Sequence, residues 1–180
     1  MANILYRYLI VMVACISLLL GLQVPNFVDQ YEKRVDAHLQ EVLVDLKPFQ
    51  ELADKFFRGS IDKLIESHFN TDEKSFQDEG KAIENLFHRK KRFEADNLAM
   101  KTSLPMKVVN VMFHGDSEII DEVLSQFRYA APMNQDALLF SLSISFLILL
   151  LVEILITLVR VARVEITRSV RRVLAAKENT

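Results

Sequence analysis

Glu153 is the one charged residue in the run Leu138 to Val159, LLFSLSISFLILLLVEILITLV. A carboxylate set in such a run costs a few kcal/mol inside a bilayer unless it is protonated, paired or able to reach the interface. Thr157 lies one helical turn further on, and Arg160 two turns on at nearly the same azimuth. Ser141 and Ser145, also one turn apart, add hydroxyls to the same run, and Cys15 and Ser17 are expected at the depth of Glu153 in an earlier apolar run. The chemistry open to this set is a proton or ion site, or a polar contact with a partner's helix. The plainer alternative is a hydrogen-bonded helix pair with Glu153 as glue and the two serines as packing residues. Two spans seldom enclose a pathway, so the sequence favours contact over transport.

Other reactive residue types are scattered. His88-Arg89-Lys90-Lys91-Arg92 has the charge of a nucleic-acid patch, but Glu84 precedes His88 by one turn, and Lys90 with Glu94 and Arg92 with Asp96 have the i, i+4 spacing of helix ion pairs. That pattern fits a solvated helix face, and no nucleic-acid partner is expected. His38, His68, His88 and His114 lie in different segments with no H-x-x-x-H spacing. Asp36 and His38, like Glu66 and His68, are two apart, which on a helix turns them to different faces. The chain shows no nucleophile elbow, CxxC pair or glycine-rich phosphate loop. Its single cysteine, Cys15, rules out an internal disulfide, and four glycines leave little material for a backbone cradle. No catalytic residue, metal site or cofactor is expected, and the chain is not read as an enzyme.

The elements that would hold Glu153 are legible from hydropathy. A helix needs about 20 apolar residues to cross a bilayer, and Leu138 to Val159 supplies them. A first run, Ile4 to Val24, is flanked by Arg7 and the Tyr6/Tyr8 pair. No small-x-small site follows it, so it reads as a retained anchor rather than a cleaved signal. Between the runs, residues 26–136 carry 15 Lys/Arg against 21 Asp/Glu, a net −6, whereas residues 160–180 carry 6 against 2, a net +4.

The middle segment opens on a regular stripe. Val28, Tyr31, Val35, Leu39, Val42, Leu46 and Phe49, continuing through Leu52 and Phe56, recur at alternating steps of three and four. The spacing predicts a coiled-coil-like helix of about 28 residues with one apolar face, which Pro48 should kink or divide in two. Gly59 ends it. A short helix from Ser60 to Phe69 follows, then one from about Asp72 to Lys101 with an acidic first turn. Met106 to Phe113 reads as helix rather than buried strand, and a further helix runs through Ile119, Val123 and Phe127. Ala130-Ala131-Pro132 makes a joint.

Past Val159 the sequence has no Gly or Pro, so the second span should extend as one helix from about Gln135 to Ala176. Arg160, Arg163, Arg168, Arg171 and Arg172 make this extension basic, suited to an anionic leaflet or to pairing with another helix. Positive charge beside spans favours the cytoplasm, and Arg7 and the basic extension flank the two runs. Both termini are expected inside and the middle segment outside. The domains read as 1–25 (first span), 26–134 (helical extracytoplasmic domain), 135–160 (second span) and 161–180 (basic cytoplasmic helix).

The stretch Gly21 to His38, GLQVPNFVDQYEKRVDAH, followed by a helical middle and a second span, resembles an uncharacterised family of bacterial two-span membrane proteins classed as a domain of unknown function, family 2937. The resemblance implies a bacterial inner-membrane location, with the middle domain periplasmic, and transfers no catalytic residue, cofactor or partner. The expected fold is an all-α membrane protein: two spans flanking a helical extracytoplasmic domain, with a basic amphipathic helix at the C-terminus. The expected role is a non-catalytic interaction or scaffold protein in contact with membrane lipids, self-associating or partner-binding through its helical domain. An accessory subunit touching its complex through the second span is a second expectation, and signal transmission a third.

Overall fold

The computed structural model describes the backbone of residues 2–178 and the side chains of 4–163 and 165. Among these residues there are six helices and no strand: α1 (Ala2–Phe56), α2 (Ile61–Phe69), α3 (Lys74–Ala99), α4 (Leu104–His114), α5 (Ser117–Ser125) and α6 (Gln135–Glu178). They divide into two compact units, one of residues 1–23 and 131–180, the other of 24–130.

The first unit holds the apolar runs. Two helices are long and apolar enough to cross a membrane, α1 from Ile4 and α6 as Gln135–Arg163. In their most apolar windows only 22% and 6% of residues are buried in the protein, so most of this apolar surface is left facing outward, as lipid permits and water does not.

The second unit is built on the stripe of α1. Val28, Tyr31, Val35, Leu39, Val42 and Leu46 are buried against Phe93 and Met100, Val111 of α4, and Ile119 and Val123 of α5. Burying an aliphatic or aromatic side chain of this size contributes about 1.5–3 kcal/mol relative to leaving it exposed. Phe49 belongs to a second cluster, against Ala53, Ile61, Leu64, Ile65 and Ile83. The stripe is thus covered by the chain's own later helices.

Several expectations change. α1 is one helix through both Pro25 and Pro48, so no second helix begins at Pro48 and no break separates the first span from the stripe. A proline frees the carbonyl four residues back and crowds it. For Pro48 that residue is Val44, on an exposed side of α1 where the freed carbonyl can be solvated, and for Pro25 it is Gly21. α1 ends where Arg58 and Gly59 take φ of 54° and 83°, and the Gly59 N–H bonds to the Ala53 carbonyl at 3.0 Å. α3 starts at Lys74 after an uncapped Glu73, so its first turn is not acidic, and it stops at Ala99 because Met100 to Ser103 form the turn into α4. Phe127 lies beyond α5, packed against Phe27 and Tyr129 in the chain that follows.

Candidate functional site

In the first unit the helices meet through small residues. The hydroxyls of Ser17 and Ser145 are 2.8 Å apart, and both lie near the Ala14 carbonyl, at 3.0 and 3.3 Å. One turn away, a Cβ on Gly21 would stand 3.2 Å from the Ser141 Cα, so the backbones approach as closely there as the absence of a side chain allows. Ser141 donates to its own helix, to the Leu138 carbonyl at 3.0 Å. Ser17, Ser141 and Ser145 are all buried. Beside this seam a groove of about 660 Å³ is lined by Ala14, Cys15, Leu18, Leu142, Ser145 and Phe146.

Glu153 stands apart from the seam. The pairs Ser17–Ser145 and Gly21–Ser141 set an antiparallel register that puts residue 153 level with residue 9, not with Cys15 and Ser17 as the sequence reading expected. Glu153 and Thr157 are exposed on α6, and Glu153 makes no hydrogen bond or ion pair with a described residue. Arg160 lies over the Tyr6 ring, 5.3 Å from its centroid, rather than against Glu153. Arg163 is exposed and not without contacts. The side chains of Arg168, Arg171 and Arg172 lie outside the described residues.

In the second unit polar chemistry gathers along the edges of the stripe. Tyr31 Oη accepts from the Asp116 N–H at 2.8 Å and donates to Asp96 Oδ2 at 3.3 Å. Burial pushes the Tyr31 phenol up to about 12. The Asp96 carboxyl is also raised, first by burial and then by the nearby Asp116 carboxylate. Arg92 turns to α5 and its cap, with Nε 2.9 Å from Asp116 Oδ2 and Nη2 2.7 Å from Glu118 Oε2. The expected ion pair of Arg92 with Asp96 is therefore replaced by a tertiary one, because Asp96 is held by Tyr31. Lys90 does pair with Glu94, at 3.4 Å.

One helical turn along α1, Glu122 of α5 bridges two side chains. It bonds Arg34, and its Oε2 is 2.8 Å from His38 Nε2. The His38 ring stacks on Phe93 at 5.4 Å and 22°. Glu122 is held below the ordinary glutamate value, mainly by the hydrogen bond from His38 and further by Arg34. A carboxylate paired with an imidazole has the types of a proton relay, but the partners of Glu122 tie α5 to α1 rather than face a nucleophile. The spacing of Asp36 and His38 had already set those two on different faces, and the acid that does meet His38, Glu122, lies 84 residues on and was not foreseen. The signal was there in retrospect: Arg34 and His38 share one face of α1 at i, i+4, as Glu118 and Glu122 do on α5.

The polar residues of Gly21 to His38 share a role. The Asn26 amide donates to the Arg128 carbonyl at 2.8 Å, Gln30 donates to the same oxygen at 3.0 Å, and Glu32 accepts from Lys107 Nζ at 2.5 Å. With Tyr31, Arg34 and His38, they latch the start of the stripe to α4, α5 and the strand of chain after α5. Among the described residues no group of three His, Cys, Asp or Glu is placed to hold a metal ion.

A family model described as "Protein of unknown function (DUF2937)" matches residues 5–165. No curated protein and no solved structure matches the chain.

Proposed function

Because the chain belongs to DUF2937, a family whose description carries no activity, we propose from its own residues that it is a membrane-anchored, non-catalytic interaction protein whose partner contact is the outward side of α6 around Glu153. The observation that carries this reading is Glu153 itself, exposed on an apolar helix and unpaired among the described residues. In lipid such a group costs a few kcal/mol, and a partner's helix bearing a donor removes that cost. The groove beside Ser145 offers a seat for side chains of the same incoming helix. Charge orients the molecule: Arg7 and the basic residues from Arg160 onward flank the apolar runs and belong on the cytoplasmic side of a bacterial inner membrane, with residues 24–130 outside. Arg160, Arg163, Arg168, Arg171 and Arg172 then lie against anionic head groups.

Cross-linking in intact membranes tests the contact. Glu153→Gln keeps a hydrogen-bonding side chain but loses the charge, and Glu153→Leu loses both; the second should remove cross-linked partners that wild type retains. A cross-linked set in Glu153→Leu unchanged from wild type would end this reading. For topology, alkaline phosphatase fused near Ser75 should be active and a fusion after Thr180 inactive. A second reading, self-association through the outer unit, draws on Val44 and on Leu52 and Phe56, where the stripe was expected to continue but which the fold leaves exposed on α1; under it, copies cross-link to each other whether or not Glu153 is altered.

A further inference from the structure

Every helix of the second unit other than α4 carries carboxylates, and the unit as a whole is acidic; α4, LPMKVVNVMFH, carries none. At 100° per residue its side chains divide cleanly. Leu104, Lys107, Val108 and Val111 occupy the arc turned to the core, with Val111 buried and Leu104 and Val108 packed against the cluster. The opposite arc, about 120° wide, holds Met106, Val109, Met112 and Phe113, which are 51%, 44%, 72% and 74% exposed. An apolar helix face this open is rare on a water-soluble surface and marks a place where something else lies.

The unit's own contacts show where on it α4 sits. Its Lys107 pairs with Glu32, its Asn110 donates to the Ala99 carbonyl at 2.8 Å, and Asp116, two residues past its end, donates to Tyr31. Glu32 is two turns, about 12 Å, along α1 from the residue at which the chain joins the unit. The chain leaves at the same end, since Asn26 bonds the Arg128 carbonyl. Both connections run directly into the two apolar helices. Tyr129, 84% exposed beside the outgoing connection, is the residue type that favours the membrane–water boundary.

We propose that α4 is an interfacial helix whose occupant is the lipid surface: Met106, Val109, Met112 and Phe113 enter the boundary between head groups and acyl chains. The absence of carboxylates on α4 suits that surface, and so does Lys101, exposed just before the helix. This rests on the membrane-anchored reading, and the experiment separates the two.

The chain has no tryptophan, so a single introduced indole reports one place. Phe113→Trp, Met106→Trp, Val44→Trp and Leu151→Trp are made singly in the full chain and reconstituted into phosphatidylethanolamine/phosphatidylglycerol vesicles containing lipids brominated near the head of the acyl chain. Trp at 113 and at 106 should be quenched at least about threefold more than Trp at 44, which lies exposed elsewhere on α1. Trp at 151, on the apolar part of α6, reports the span. Quenching at 113 and 106 no greater than at 44, with 151 still quenched, overturns the α4 proposal alone; loss of quenching at 151 as well overturns the membrane reading and this proposal with it. Protection at 113 that grows with protein density and ignores the brominated lipid assigns the face to a second copy and overturns the proposal.

Discussion

The two units solve the same problem, holding helices together, with opposite materials. In the first, the contact is made of glycine, alanine and serine, and the hydroxyls bond mainly to carbonyls of their own or the facing helix. In the second, the contact is made of large side chains such as Tyr31, Phe93 and Ile119, with charged residues clamping the edges. Lipid gives no hydrophobic reward for bringing two helices together, so close backbone approach and local hydrogen bonds must supply the attraction. Water rewards apolar burial, so the second unit uses bulk, and it places charges where they reach both a partner and solvent. The distribution of side-chain sizes along α1 therefore reports which solvent each part of the helix was built for.

The contrast can be broken first at the core. Val35 is fully buried, and Val35→Asp places a charge there with no partner. A loss of about 3–5 kcal/mol is expected, enough to unfold the second unit; circular dichroism of the detergent-solubilised protein in urea should show an early transition for α2 to α5, while the seam of the first unit persists. Unchanged urea stability would mean that the stripe is not the core.

Gly21→Leu makes the converse change. With the Ser141 backbone 3.2 Å from a Cβ at this position, a leucine forces the helices apart. A Ser17→Cys/Ser145→Cys pair in a Cys15→Ser background should form a disulfide readily, since the native hydroxyls are 2.8 Å apart, and adding Gly21→Leu should reduce its yield about tenfold or more. The second unit's urea transition should not move.

Glu122→Gln has the smallest effect, about 1.5 kcal/mol, because a neutral amide keeps a hydrogen bond to Arg34 or His38 but not the charge. Its mark is in the pH profile. Glu122 titrates lower in the folded protein than in the unfolded chain, so the stability it contributes is complete above the ordinary glutamate range and is lost as pH falls through its lowered native value. Asp96 titrates higher in the fold and acts in the opposite sense: its contribution is present below the ordinary aspartate range and is lost as pH rises through its native value. Denaturation across pH 3 to 6 should therefore show a shallower acid limb in Glu122→Gln than in wild type.

The sequence by itself determined the helices and their faces. The stripe from Val28 to Leu46, the long second helix from Gln135 and the two apolar runs are all local patterns, written in periods of 3.6 and in hydropathy. Only the tertiary structure decided the partners. Glu122 for His38, Asp116 for Arg92, Gly21 against Ser141 and Leu9 as the level of Glu153 depend on the register between distant segments, and nothing local fixes a register. Pro25 and Pro48 went the same way: the residue alone says break, but one helix runs through both, with the exposed side of Val44 leaving the carbonyl freed by Pro48 open to solvent. The open face of α4 was invisible for a related reason, because a largely apolar helix reads as core until the neighbours that cover only half of it are known.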